Sequence, residues 1–348
     1  ADFVGIPYIQ IVKAAIIPAL LYFTGVMIGV HLEAKKNGLR GMSRDELPNV
    51  LRLLMDRGHL ALPLIAIVYL LVAGYTPMRA ALWAIGLSIV CAMLRKSTRI
   101  SWRDIIKGLE DGARSALGVI IACATAGIII GVVTKTGLGL KLASSLVDLA
   151  HGYLLPTLFF TMITSILLGM GVPTTANYVI TSTIAAPAII QLGVPILAAH
   201  MFVFYFGIIA DITPPVALAA FAGSGIARSD PLKTGIQASK LAIAAFIVPY
   251  IFVLSPVMLM VDVTLPKVLL IILTSTLGML GLATAVAGYL LTHAHWLERI
   301  MFFVGGLLMI DPSVTTDVIG FVLLMVAFVI HKIRAGAQAK NKPGPMAA

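Results

Sequence analysis

Residues 149–210 contain no Asp, Glu, Lys or Arg. As one straight α-helix the stretch would run about 93 Å, three times the roughly 30 Å apolar thickness of a bilayer. It therefore has to fold back on itself. The turning points it offers are Gly169 to Pro173, Pro187, and Gly193 to Pro195, and none carries a charge that would hold it in water. Apolar flanks with a polar tip, GMGVPTTANY at residues 169–178, describe a re-entrant hairpin that enters and leaves by the same face of a membrane.

The rest of the chain supports a membrane setting. Of its residues 59% are hydrophobic and 11% charged, against about 25% charged in a soluble domain. The apolar runs are continuous and do not alternate as barrel strands do, which leaves helices as the spanning element. The fold class is an all-α integral membrane protein, a polytopic helical bundle. Candidate spans are residues 14–30, 60–74, 78–94, 116–134, 154–168, 178–199, 200–227, 241–261, 268–291 and 318–330, with 300–310 as half of a last hairpin. Residues 60–94, interrupted by GYTPMR, read as a hairpin of tilted spans.

The net charge of +10 sits in short loops and the tail. Arg95, Lys96, Arg99, Arg103, Lys107 and Arg114 form one cluster, and Lys332, Arg334, Lys340 and Lys342 another. The positive-inside rule puts both, and with them the C-terminus, in the cytoplasm. The partner these charges imply is the lipid bilayer and not a nucleic acid. Cys91 and Cys123 lie in apolar runs and read as small buried hydrophobes. The opening ADFVGIPYIQ lacks the basic start and small-residue cleavage site of a signal peptide, so the chain is expected to begin inside a larger protein.

Two segments read as amphipathic helices lying along the interface. In the first, Ser43 and Glu46 fit a capping box, and Leu47, Val50, Leu51 and Leu54 recur at helical spacing. In the second, SWRDIIKGLEDGARSALG, Ile105, Ile106 and Leu109 share one face. The chain then divides into a first span with an interfacial helix (1–57), hairpin spans with a basic helix (58–114), a core (115–262) and C-terminal spans with a basic tail (263–348). The core holds the re-entrant hairpin, about residues 154–199, and a broken helix, about 201–227.

At membrane depth, irregular backbone persists only where it is buried in protein or lines a watery cavity. Gly169 and Gly171 allow open carbonyls, Pro173 frees another, and Thr174, Thr175 and Asn177 add hydroxyl and amide oxygens. An all-oxygen site without formal charge suits a dehydrated Na⁺, and broken helices commonly build such midplane sites. A kinked helix whose threonines and asparagine bond back to their own backbone accounts for the tip equally well. A second break follows in GIIADITPPVALAAFAGSGIARSD. Asp211 is costly there without water, a partner or an ion. Thr213, with Pro214 and Pro215 behind it, has the form of an N-cap followed by the first helical turn. Capping and ion coordination are compatible at such a break.

No catalytic constellation is present, neither Gly-x-Gly-Asp nor His-Glu-x-x-His, and the chain is not expected to be an enzyme or to need a cofactor beyond a coupling ion. His293 and His295, two apart, would point to different faces of a helix. His31, His59, His151 and His200 are isolated and read as interface or packing residues.

The stretch LGMGVPTTANYVITSTIAAPAIIQLGVPILAAHMFVFYFGIIADITPPVALAAFAGSGIARSDPLKTG resembles the second half of the membrane permease of tripartite ATP-independent periplasmic (TRAP) transporters. Together with GIPYIQIVKAAIIPALLYF, HLEAKKNGLRGM, TAGIIIGVVTKTGLGLKL and HWLERIMFFVGGLLMIDPSVTTDVIG, it resembles above all the fused form of that permease. The resemblance implies the second half of an inverted-repeat, elevator-type transporter in a bacterial inner membrane. It implies uptake driven by a Na⁺ gradient, a periplasmic solute-binding protein as partner, and an organic acid as solute. Carried over by position, Gly169, Gly171, Pro173, Thr174 and Thr175 help form a Na⁺ site that Thr213, Pro214 and Pro215 complete. Asn177 and Asp211 join them on chemical grounds alone. The first hairpin of the repeat, rich in Ser and Gly, has no counterpart here, so a missing N-terminal half or a partner subunit is expected, and the chain by itself is not expected to transport. A non-transporting scaffold subunit, or another Na⁺-coupled anion carrier, is the alternative.

Overall fold

The computed structural model describes residues 1–39, 41–43, 47, 49–95, 98–260, 265–310 and 313–340. Glu46 of the expected capping box, and Lys96 and Lys342 of the basic clusters, lie outside these residues. In chain order the helices are α1 (Tyr8–Lys36), α2 (Val50–Arg57), α3 (Leu62–Val72), α4 (Pro77–Met93), α5 (Trp102–Thr136) and α6 (Leu138–Leu149). Then come α7 (Leu154–Gly169), α8 (Thr174–Ile184), α9 (Ala186–Ile190), α10 (Ile196–Ile209) and α11 (Leu218–Ala227). The last are α12 (Pro231–Leu241), α13 (Ile243–Leu254), α14 (Leu265–Ala287), α15 (Trp296–Leu308) and α16 (Val314–Lys340). Among the described residues the extended pairing is a single bridge between Tyr289 and His293. Five helical stretches there are long and apolar enough to cross a membrane. The chain is an all-α polytopic membrane protein. It divides into two compact units, Ala1–Lys13 with Gly41–Thr125, and Ala14–Arg40 with Ala126–Ala348.

In the first unit α2 begins later than the sequence pattern implied. Its N-cap is Asn49, whose side chain accepts from the Arg52 N–H at 3.2 Å, directly ahead of the apolar run. None of the α2 side chains is buried. With the 3-10 turn Gly58–Ala61 and α3, α2 makes an apolar stretch over Val50–Val72 long enough to cross a bilayer. α3 and α4 pack as the expected hairpin. Arg95 ties its end by donating to the Asp56 carbonyl at 2.8 Å, and His59 Nε2 lies 3.2 Å from Thr98 Oγ1.

The second amphipathic segment does not end before the span that follows. It runs on into one 35-residue helix, α5, which no proline interrupts. α6 has no counterpart among the expected spans. Gly137, at φ +65°, turns the chain into it, bending α6 by 75° from the end of α5. Only a residue without Cβ takes that backbone at little cost.

In the second unit α10 is buried nearly all round, with Phe202, Val203 and Phe206 fully enclosed. Phe202 and Phe206 stack edge-on at 4.8 Å, and each meets Tyr250 of α13, at 5.4 and 5.9 Å. Lipid tails are as apolar as these rings, so their gain is close-packed dispersion and not escape from water. The C-terminal helices use glycine for the same end. A Cβ on Gly278 would lie 2.8 Å from the Gly306 carbonyl, and one on Gly320 would lie 2.9 Å from that of Gly305, so α14, α15 and α16 pack backbone to backbone.

The segment between α14 and α15 is a loop, so His293 and His295 occupy a turn and not two faces of a helix. The helix expected to reach residue 291 stops at Ala287, where Gly288 takes φ +65°. A buried clasp holds this loop. Glu298 Oε2 accepts from Arg334 at 2.7 Å and lies 2.7 Å from His331 Nδ1. The Leu291 and Thr292 N–H groups donate to His331 Nε2, at 3.2 and 3.4 Å, which leaves the ring proton on Nδ1, facing the carboxylate. Burial alone would raise the Glu298 carboxyl. His331, the His295 N–H and the Arg334 charge outweigh it and hold the group below its ordinary value.

Candidate functional site

The hairpin begins with α7, 16 residues long, about 24 Å and short of a full crossing. Thr157, Thr161, Ser165 and Gly169 recur every fourth residue and are all buried, so α7 turns a polar face inward against its neighbours. The helix stops where Met170 becomes extended and Gly171 takes φ +71°. Pro173, also extended, opens α8. α8 and α9 return along α7. This return arm is not the single span over 178–199 that the apolar run suggested. It breaks at Ala185 ahead of Pro187, and turns again at residues 191–195 into α10.

The tip thus sets two helix ends side by side. α7 finishes with carbonyls that have no further turn to bond, and α8 starts with free N–H groups. One end carries partial negative charge and the other partial positive. Gly171, Pro173, Thr174 and Thr175 are exposed at this tip, and neither threonine hydroxyl has a hydrogen-bond partner among the described residues. Asn177 points the other way. It is 2% exposed, and its Oδ1, with Thr161 Oγ1 and Ser165 Oγ, is buried without a hydrogen-bond partner among the described residues. Thr181 does bond back, to the Asn177 carbonyl at 3.0 Å.

The second break lies against the same helix. α10 ends in a 3-10 turn, Ala210–Ile212, which packs on α7. Thr213 does not cap the helix that follows. Its hydroxyl donates back to the Ile209 carbonyl at 2.7 Å, closing α10. α11 begins only at Leu218, after the extended Thr213, the Pro214–Pro215 pair and a left-handed Ala217. The proline pair cannot supply the N–H groups that would continue α10, so the chain leaves the helix there. Asp211 is half-buried in the turn and has no ion-pair or hydrogen-bond partner among the described residues.

The structure brings Gly169, Asn177 and the end of α10 together through a residue the sequence did not single out, Gly207. A Cβ on Gly169 would lie 2.6 Å from the Gly207 carbonyl and 2.8 Å from Asn177 Nδ2. Two bare backbones and one carboxamide therefore form the joint between the hairpin and the broken helix. His200, isolated in the sequence, pairs with Tyr178 across α8 and α10, Tyr Oη to Nδ1 at 2.9 Å. Behind the break stands α12, whose Ser239 hydroxyl donates to the Ile212 carbonyl at 3.0 Å. Thr161, Ser165 and Gly207 carry no sequence signal of their own, since a hydroxyl or a glycine is common in any packed membrane helix.

No curated protein and no solved structure matches the chain. Residues 1–267 match the family model described as the DctM component of the tripartite ATP-independent periplasmic transporter.

Proposed function

The chain belongs to the DctM family of TRAP transporter permeases, and from that premise we propose that it carries an organic acid inward together with Na⁺. A solute-binding protein in the periplasm delivers the acid. The family is one of multi-pass membrane transporters that act with such a protein. The coupling ion, the acid and the inner-membrane orientation with a cytoplasmic C-terminus are the proposed part.

The observation that carries the reading is the pairing of opposite helix ends at the hairpin tip, beside a second break, in a segment without formal charge. Carbonyls at the end of α7 and the hydroxyls of Thr174 and Thr175 suit a bare monovalent cation. The Thr213 hydroxyl gives its hydrogen to Ile209 and keeps its lone pairs for the ion. Gly171, Pro173, Pro214 and Pro215 shape the two breaks. Gly169 and Asn177 hold them together, and Asp211, without a partner among the described residues, favours a cation nearby. The N–H groups that open α8 suit the carboxylate of the solute.

Uptake by the complete system, measured against Na⁺ concentration, tests this. Thr174→Ala and Thr213→Ala should each raise the Na⁺ needed for half-maximal uptake about tenfold, the loss of one contact to a charged group. If neither moves it, the ion site lies elsewhere.

A further inference from the structure

A separate, shallow pocket opens at the other face of α12, with a cavity volume of about 50 Å³. Leu241, Ile243, Ala283, Val286 and Ala287 form an apolar wall, and Glu33, Lys36, Gln237 and Lys240 a polar rim. Its position in the helices is informative. Lys36 is the last residue of α1, Ala287 the last of α14, and Lys240 stands just ahead of the apolar α13. Three apolar helices thus end around it, the level at which a bilayer turns from acyl chain to headgroup.

The charge of the rim is not balanced. The Glu33 carboxylate is occupied by Lys36 Nζ at 3.4 Å and by Asn37 Nδ2 at 3.2 Å. Lys240 has no carboxylate partner among the described residues. One acid against two lysines leaves an excess of one positive charge facing the mouth. A site with a basic polar rim, an apolar wall and a place at the membrane surface fits the two ends of a phospholipid.

We propose that an anionic phospholipid docks on this pocket from the bilayer, its phosphate at the rim on Lys240 and Lys36 with the Gln237 amide, and the start of an acyl chain against Val286 and Ala287. The lipid then touches the broken helix through one intervening element. Gln237, Lys240 and Leu241 lie on the side of α12 opposite Gly235 and Ser239. Ser239 holds the Ile212 carbonyl, and a Cβ on Gly235 would come within 3.1 Å of Pro214. A filled pocket steadies the helix that backs the break. The inference stands on the pocket alone and is independent of which ion or acid is carried.

The test equilibrates the full chain in bilayers of equimolar phosphatidylcholine and phosphatidylglycerol and counts retained lipid by native mass spectrometry. Phosphatidylglycerol should be retained in preference. Lys240→Ala should lower its retention about fivefold, while Lys240→Arg keeps it and Glu33→Gln, which frees Lys36, keeps or raises it. Lys267→Ala, at the opposite end of α14, should leave retention unchanged, and a matched size-exclusion profile shows each variant folded. Equal retention of the two lipids overturns the proposal, as does an unchanged preference in Lys240→Ala or an equal loss in Lys267→Ala. Displacement of the lipid by millimolar inorganic phosphate would assign the rim to a free anion and overturn it too.

Discussion

The Asn177 carboxamide fills the space that a side chain at Gly207 would need: a Cβ there would stand 2.6 Å from its Nδ2 and 2.8 Å from its Oδ1. Hairpin and broken helix are therefore keyed to each other by a residue on one and an absence on the other. Gly207→Ala meets only a side-chain tip, whereas Gly169→Ala meets the Gly207 backbone carbonyl. Both should overpack the joint at a cost of roughly 1–3 kcal/mol, with Gly169→Ala the worse. Thermal unfolding in lipid nanodiscs ranks them, and the reverse order would refute the keyed joint.

Gly171 provides a contrast, since a Cβ on it would meet nothing within 4 Å while its φ is +71°. Gly171→Ala should cost only the left-handed backbone, about 1–2 kcal/mol. Gly171→Asn, which tolerates that conformation, should recover part of the loss in the same melting assay.

The α10–α13 contact depends on rings that lipid cannot replace. Phe202 is fully buried between Phe206 and Tyr250, and Phe202→Ala should cost roughly 3–5 kcal/mol. Phe159, 48% exposed on α7, should tolerate the same truncation with a change near zero. Equal losses would show that the enclosed stack adds nothing beyond apolarity.

The clasp predicts a pH dependence of stability. Because the Glu298 carboxyl is held below its ordinary value, the folded chain binds that proton less tightly than the unfolded one. Its stabilisation is full above the ordinary carboxylate range and is lost as the pH falls through the lowered value. Glu298→Gln leaves Arg334 without its counter-charge and should cost roughly 3–5 kcal/mol at neutral pH. The melting temperatures of wild type and variant should converge on acidification, and a constant gap would sink the assignment.

Where the chain turns was legible because breakers and polar residues are costly in an uncharged run. Gly169 to Pro173 and Thr213 to Pro215 announced both breaks, and the structure ends α7 at Gly169 and leaves α10 by Thr213. What the side chains do at those breaks was not legible. A threonine before proline has the same letters whether its hydroxyl caps the next helix or closes the last one; the hydroxyl's bond to Ile209 and the start of α11 only at Leu218 select the second. α6 was hidden for a different reason. Lys141 and Asp148 interrupt its hydropathy, and the bend that creates it is one glycine in a left-handed conformation. The clasp of Glu298, His331 and Arg334 joins residues far apart in the chain, which no local pattern reports.

Residues 149–210 bring no fixed charge of their own. In the proposed transport cycle, a hairpin without fixed charge that moved across the bilayer would drag no gating charge of its own, each of which would be worth about 2.3 kcal/mol per 100 mV. The electrical signature of such a step would then be set by Asp211 in the adjoining break and by what is aboard.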